Sequence, residues 1–225
     1  MRRLRRVALV VDTLELGPIG TNCHLVRAGR DATEAVVVDP SGSEAEIRFH
    51  LASIGAHCTA IFVTHCHWDH FLGLAELAAG TSAPVCLPRD EEPVFRSPGD
   101  FYDGFGIAVP AYDGEATFVA GGETIVAAGI SFTVTAVPGH SPGHVAYHAD
   151  GHLFSGDVLF AGGVGRVDLP GGDWQTLLGS IETVLAAYPP ETVVHSGHGA
   201  DTTLGAELTR NPFLAELQND RASGD

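Results

Sequence analysis

Three histidines and an aspartate fall within six residues, in the run His65-Cys66-His67-Trp68-Asp69-His70. Neutral imidazole and carboxylate in one cluster suit zinc, iron or manganese. The cluster directly follows the apolar run Ala60-Ile61-Phe62-Val63, so several ligand atoms are delivered to the end of one strand. A polar turn of solvated histidines is the plainer reading. It loses weight because further donors recur downstream. His140 stands in Pro138-Gly139-His140-Ser141-Pro142-Gly143-His144, Asp157 in Ser155-Gly156-Asp157, and His198 in Ser196-Gly197-His198-Gly199. Each follows a β-type run beside glycine, which permits tight turns and close approach of backbone to a ligand. Taken singly, each is more often a turn residue. Taken with the first cluster, they describe strand ends that meet at one cleft.

The elements needed to position these residues are legible in the apolar pattern. Val7–Leu16, Asn22–Val26 and Ala35–Asp39 alternate as paired strands. Ser43-Glu44-Ala45-Glu46 fits a capping box that opens a helix through Ile54. A buried strand follows over Ala60–Thr64, then a helix over His70–Ala79 with Gly80 as its stop, then a short strand over Pro84–Leu87. Arg89 to Tyr112 is irregular, with Pro and Gly interleaved among Phe95, Phe101, Tyr102 and Phe105. Strands return at Thr117–Val119, Thr124–Ala127, Ser131–Val137, Val145–His148 and His152–Ser155. Trp174–Ala187 is an amphipathic helix that starts at Asp173 and ends before Pro189-Pro190. Val193–His195 is a last strand, and a helix over Leu204–Thr209 breaks at Asn211-Pro212. Strands and helices thus come in two successive groups, which suggests two sheets packed face to face with helices outside.

Composition bounds the function classes. The 225 residues are enough for one good core, expected as a single domain over residues 1–217 with a frayed tail at 218–225. The net charge is −16 and all 12 basic side chains are arginine. Such a surface argues against nucleic acid as a partner. No apolar run approaches membrane-spanning length, so no membrane partner is expected. The start, Met1-Arg2-Arg3-Leu4-Arg5-Arg6, is basic like an export signal, but the apolar run from Val7 stops at Asp12. It reads instead as an edge strand of a cytoplasmic protein. Cys23, Cys58, Cys66 and Cys86 show no CxxC pairing and read as reduced thiols.

His65, His67, Asp69, His70, His140, Asp157 and His198 reproduce, in order, the ligand set of the metallo-β-lactamase superfamily, which the chain resembles over nearly its whole length. Gly17-Pro18 with Thr21-Asn22-Cys23, the segment Gly165 to Asp173, Thr202-Thr203 and Asn211-Pro212-Phe213-Leu214 resemble, more narrowly, the single-domain hydroxyacylglutathione hydrolase (glyoxalase II-like) group. The resemblance implies an α/β (α+β) fold, an αββα sandwich of two mixed β-sheets with helices on the outer faces. It implies two divalent metal ions, with Zn2+ first and Fe or Mn as alternatives. His65, His67 and His140 would hold one, Asp69, His70 and His198 the other, with Asp157 bridging. The implied chemistry is attack of a metal-bridging hydroxide on a small-molecule thioester, with Asp69 and Asp157 as the catalytic residues. Asp39 and Thr64 read as partners behind the ligands, with a plain turn carboxylate as the other reading of Asp39. His144 and His195 read as supporting or structural, and His24, His50, His57, His148 and His152 as surface or strand histidines. In the two-domain relatives a Lys and a Tyr contact glutathione; Arg166 and Asp168 stand there in this chain. Arg166 therefore reads either as a substrate-binding cation or as the partner of Asp168. A mononuclear-iron persulfide dioxygenase, a lactonase on the same site and a catalytically silent metal-binding protein are the alternatives.

Overall fold

Strands that are apolar at every position need cover on both faces. The computed structural model describes residues 8–215 and shows that cover. The strands are β1 (Val10–Leu16), β2 (Thr21–Arg27), β3 (Glu34–Val38), β4 (His57–Phe62), β5 (Val85–Pro88), β6 (Ala116–Val119), β7 (Thr124–Ala127), β8 (Ile130–Ala136), β9 (Val145–Ala149), β10 (His152–Gly156), β11 (Leu159–Phe160), β12 (Gly163–Val164), β13 (Val193–Ser196) and β14 (Thr202–Thr203). β1 to β6 form one six-stranded sheet in chain order, antiparallel as far as β3 and parallel beyond it. The second six-stranded sheet runs β14-β13-β10-β9-β8-β7, with β10 and β13 parallel and the other pairs antiparallel. β11 and β12 make a separate small ribbon.

Alternate residues of each strand divide between two cores, as the pleat requires. Val36, Val38, Ala60 and Phe62 meet Phe132, Val134, Tyr147 and Phe154 between the sheets. Phe62 lies edge-on to Phe132 at 5.1 Å and stacks on Tyr147 at 4.8 Å. Their neighbours Val37, Ile61 and Val63 face the other way, with Leu25, onto helices α1 (Glu44–Ser53), α2 (Trp68–Phe71) and α3 (Leu74–Thr81). Beyond β5 come two short helices, α4 (Glu92–Arg96) and α5 (Gly99–Tyr102). On the far face, Ala146, Leu153 and Val194 pack on Leu177, Ile181 and Val184 of α6 (Trp174–Ala187), beside α7 (Leu204–Arg210). The layers are therefore helix, sheet, sheet, helix. The expected caps are present. Ser43 and Glu46 close a reciprocal box at α1, and Asp173 accepts from Thr176 N at α6 (2.8 Å). No helix among the described residues is long and apolar enough to cross a membrane. The tail expected at 218–225 lies outside the described residues.

One helix differs from the sequence expectation. The segment read as His70–Ala79 with a stop at Gly80 is two helices, α2 and α3, broken at Leu72-Gly73. A Cβ on Gly73 would collide with the carbonyl oxygen of Gly42, and Gly73 N donates to Pro40 O (2.9 Å). Close approach to the loop after β3 sets the break. Gly80 stays inside α3, which ends at Ser82 with φ 55°. The strand read over Ala60–Thr64 lies earlier, at His57–Phe62, so Val63 and Thr64 already belong to the loop that carries the histidine cluster.

Candidate metal centre

β8, β10 and β13 run in one direction, as do β3 and β4, and the residues of interest follow their carboxyl ends. His65, His67, Asp69 and His70 come after β4, His140 after β8, Asp157 after β10 and His198 after β13. The fold brings all seven together. Donor atoms of His65, His67 and His140 lie within 4.8 Å of one another, as do those of His65, His70 and Asp157, and those of Asp69, His70 and His198. His67 Nδ1 is 3.1 Å from His65 Nε2 and 2.7 Å from His140 Nε2. Asp157 spans the groups. Its Oδ2 is 3.5 Å from His140 Nε2 and 3.6 Å from His198 Nε2, and its Oδ1 is 3.4 Å from His70 Nε2. His198 Nε2 also lies 3.3 Å from Asp69 Oδ2.

Hydrogen bonds behind the cluster orient three of the rings, those of His65, His70 and His140. His140 Nδ1 donates to the carbonyl of Arg166 (2.7 Å), so its Nε2 is a bare lone pair. Thr64 spends its single hydroxyl proton on Asp39 Oδ2 (2.8 Å); His65 Nδ1 must then donate to Thr64 Oγ1 (3.0 Å). His70 Nδ1 donates to Asp39 Oδ2 (2.9 Å). The Nε2 atoms of His65 and His140 therefore point lone pairs inward, and His70 Nε2 offers one to a cation that displaces its proton. One proton on His67 Nδ1 cannot satisfy both lone pairs facing it. His70 Nε2 and Asp157 Oδ1 are buried and have no hydrogen-bond partner among the described residues. Buried polar atoms left in this state are costly unless a cation accepts them. The donor set thus fits divalent metal ions.

The electrostatics agree. Burial, reinforced by neighbouring imidazoles, holds His65 well below its ordinary pKa and His67 down to about 3; burial also lowers His140. These rings are neutral, as ligands must be. Burial opposes the charge on His70, yet Asp157, Asp69 and Asp39 together hold it well above its ordinary value. Burial likewise works against the Asp69 carboxylate, but His70, His198 and Thr21 bring it down to about 2. Asp157 is depressed further, against its own burial, chiefly by His70 and then by His140 and His198. Acids this strong facing bare nitrogens make a pocket that calls for positive charge.

Other residues hold the frame. Thr21 Oγ1 donates to Asp69 Oδ2 (2.7 Å), and Asn22 Nδ2 donates to the carbonyls of Ser196 and Gly199 (both 2.9 Å), pinning the His198 loop to β2. Glu91 is buried and accepts from Cys66 N (2.5 Å) and Gly143 N (2.9 Å), clasping the His65–His67 loop to the His140 loop. Burial pushes its carboxyl up. A role for Glu91 has no sequence signal, because it sits in the acidic run Asp90-Glu91-Glu92. Gly197 has a clear reason to be glycine: a Cβ there would run into Asp157 Oδ1 and His70. His144 stacks on His65 at 4.4 Å and donates through Nε2 to Ser155 O (3.1 Å). His195 bonds His152 (2.9 Å) and lies 3.0 Å from Asp201 Oδ1, away from the cluster. Cys66 turns toward Glu91, and burial raises its thiol well above the ordinary value. Arg166 forms a two-pronged pair with Asp168, Nε to Oδ1 at 2.6 Å and Nη2 to Oδ2 at 2.7 Å, with both side chains exposed.

Comparison with known proteins gives the lineage. The sequence profile of the metallo-beta-lactamase superfamily matches residues 16–198. Hydroxyacylglutathione hydrolase GloC of Haemophilus influenzae is 32% identical over 208 residues, covering 91% of this chain and 97% of its own length. The probable metallo-hydrolase YqgX of Bacillus subtilis is 35% identical over 205 residues, covering 89% and 95%. Among solved structures, BLEG-1 B3 metallo-beta-lactamase is similar with a TM-score of 0.84 at 35% identity, over 91% of this chain and 99% of that one. TTHA1623 in a di-iron-bound form gives 0.81 at 37% identity, over 91% and 100%. With a profile match across the whole donor set and relatives of this identity along nearly their full length, the chain belongs to the metallo-beta-lactamase superfamily.

Proposed function

We propose that the chain is a metal-dependent hydrolase of thioesters of the S-2-hydroxyacylglutathione type, at work in the cytoplasm. The observation that carries this reading is the inward set of lone pairs and carboxylates fixed by hydrogen bonds behind them. In it, His65, His67 and His140 would hold one divalent cation and Asp69, His70 and His198 a second, with Asp157 between the two groups. Zinc suits this nitrogen and oxygen set, and iron or manganese are the alternatives. A bound pair of such ions supplies hydroxide at neutral pH and a field that favours an oxyanion over a neutral carbonyl. The protein's own part is positioning. Thr21 fixes the Asp69 carboxylate, which orients the nucleophile, and Asp39 with Thr64 fixes the rings of His65 and His70. The departing thiolate needs no general acid, since a free thiol has a pKa of about 8.5. The name of the Haemophilus relative supports the substrate class. Four buried free cysteines suit a reducing compartment.

Metal analysis of the purified chain, paired with hydrolysis of S-lactoylglutathione, tests the reading. Two divalent ions per chain with turnover are expected, and Asp157→Asn should lose metal and activity together. A single iron, no thioester turnover and oxygen uptake with glutathione persulfide would replace it with the dioxygenase. Because BLEG-1 is a B3 metallo-beta-lactamase at 35% identity, a β-lactam and a lactone belong in the same assay.

A further inference from the structure

Beside His67 opens a cavity of about 350 Å³ whose lining is mostly apolar. Its walls come from four separate stretches of chain: Cys66-His67 after β4, the span from Asp90 to Phe105, Ser141-Pro142 on the His140 loop, and Leu169-Pro170 before α6. Phe101 and Phe105 stand 46% and 73% exposed. Solvated aromatic rings on a well-anchored wall mark a surface built to be covered. The anchor is firm: Tyr102 Oη donates to Cys66 O (2.6 Å), and its ring sits 6.5 Å from Phe71.

Charge argues against an anionic occupant. The acids and the one imidazole in the wall are Asp90, Glu91 and His67, with no arginine among the lining residues. Glu91 is already engaged by Cys66 N and Gly143 N. Arg166 precedes the Leu169-Pro170 rim, but its donor fork is taken by Asp168. The chain has no lysine and a net charge of −16. A peptide tail bearing two carboxylates, such as that of glutathione, meets no free cation here.

We propose that this cavity takes an apolar substituent of the thioester, an aromatic or branched aliphatic group, and so sets substrate preference at the hydrolytic site. The claim about preference rests on the thioesterase reading. The occupant can belong to the acyl or to the thiol side, and both present the same chemistry to the walls. The reaction is unchanged: water adds to the carbonyl carbon, the C–S bond breaks, and the acid and thiol leave. Each methylene moved from water into the cavity is worth roughly a fourfold gain.

The test compares kcat/KM of the metal-loaded protein on three thioesters: S-lactoylglutathione, S-mandeloylglutathione and the lactoyl thioester of benzyl mercaptan. At least one apolar substrate should exceed S-lactoylglutathione by about tenfold or more, as two or three buried methylenes would give. The mandeloyl arm reports an acyl-side occupant and the benzyl arm a thiol-side one. In Phe101→Ala/Phe105→Ala the ratio of apolar to lactoyl substrate should fall about tenfold. Three equal rates, or S-lactoylglutathione fastest, overturn the inference and leave the thioesterase reading standing. If no thioester is turned over, that reading fails, and binding decides the inference. Benzyl methyl sulfide should then produce saturable amide shifts at Phe101, Phe105 and Leu169 in NMR spectra of the wild-type chain. Absence of such shifts overturns it.

Discussion

Asp39 takes three hydrogen bonds on two oxygens: Thr64 N on Oδ1, and Thr64 Oγ1 and His70 Nδ1 on Oδ2. It follows β3 with φ 52°, an unusual left-handed conformation for a side chain that is not glycine. Through Thr64 it also governs the ring of His65, so one carboxylate orients two imidazoles. In Asp39→Asn the amide NH2 must face one of these donors, leaving a buried clash of protons. Zinc affinity should fall about 10- to 100-fold, as for other supports behind ligating histidines. Competition against a chromophoric chelator measures this without any turnover. An affinity equal to wild type would contradict the role given to Asp39. The strand-end position before Pro40 marked this residue in the sequence, but a plain turn carboxylate has the same signature. Only the contact with His70 distinguishes the two, and that contact crosses 31 positions of chain.

At the scale of elements, most of the longer strands and the long helix α6 were legible because periodicity and caps are local, whereas the two-residue strands β11, β12 and β14 were not. Trp174–Ala187 starts at Asp173 and stops before Pro189-Pro190, as its sequence pattern indicates. The α2–α3 break was not legible, because its cause is a distant backbone. Gly73 approaches Gly42 and Pro40, whereas Gly80, which resembles a stop signal, lies inside α3 against the side-chain end of Glu44 rather than against backbone. The two glycines should respond oppositely to alanine. Gly73→Ala should destabilise by about 1–3 kcal/mol through overpacking against rigid backbone. Gly80→Ala should be neutral or stabilise by up to about 1 kcal/mol, since alanine is the better helix former. Urea denaturation of both variants checks the pair. A large loss at Gly80 would restore the stop-signal reading.

At the scale of the whole molecule, the two sheets pack without the donor cluster, but the cluster adds a local debt of repulsion. Bare nitrogens and two carboxylates are buried together at the sheet edge. Any ion that binds the folded chain and not the unfolded one stabilises it by mass action, about 4 kcal/mol at a thousandfold excess over Kd. For a chain of this size that is a rise in Tm of about 10 °C. A thermal melt of chelator-stripped protein with and without zinc measures it, and no shift would mean that the cluster does not bind zinc.

From the sequence alone came the donor types, the close spacing from His65 to His70, the glycines that flank each later donor and the strand pattern that carries them. All of these are properties of short windows, where side-chain chemistry and backbone periodicity are read directly. Tertiary structure alone decided which imidazole nitrogen is free, that Glu91 clasps two donor loops, that α2 and α3 part at Gly73 and that an apolar cavity lies beside His67. Each of those depends on residues far apart in the chain, and the energy of such a contact leaves no mark on either residue's neighbours. An acid in Asp90-Glu91-Glu92 looks like the acids on either side of it until folding buries one of them.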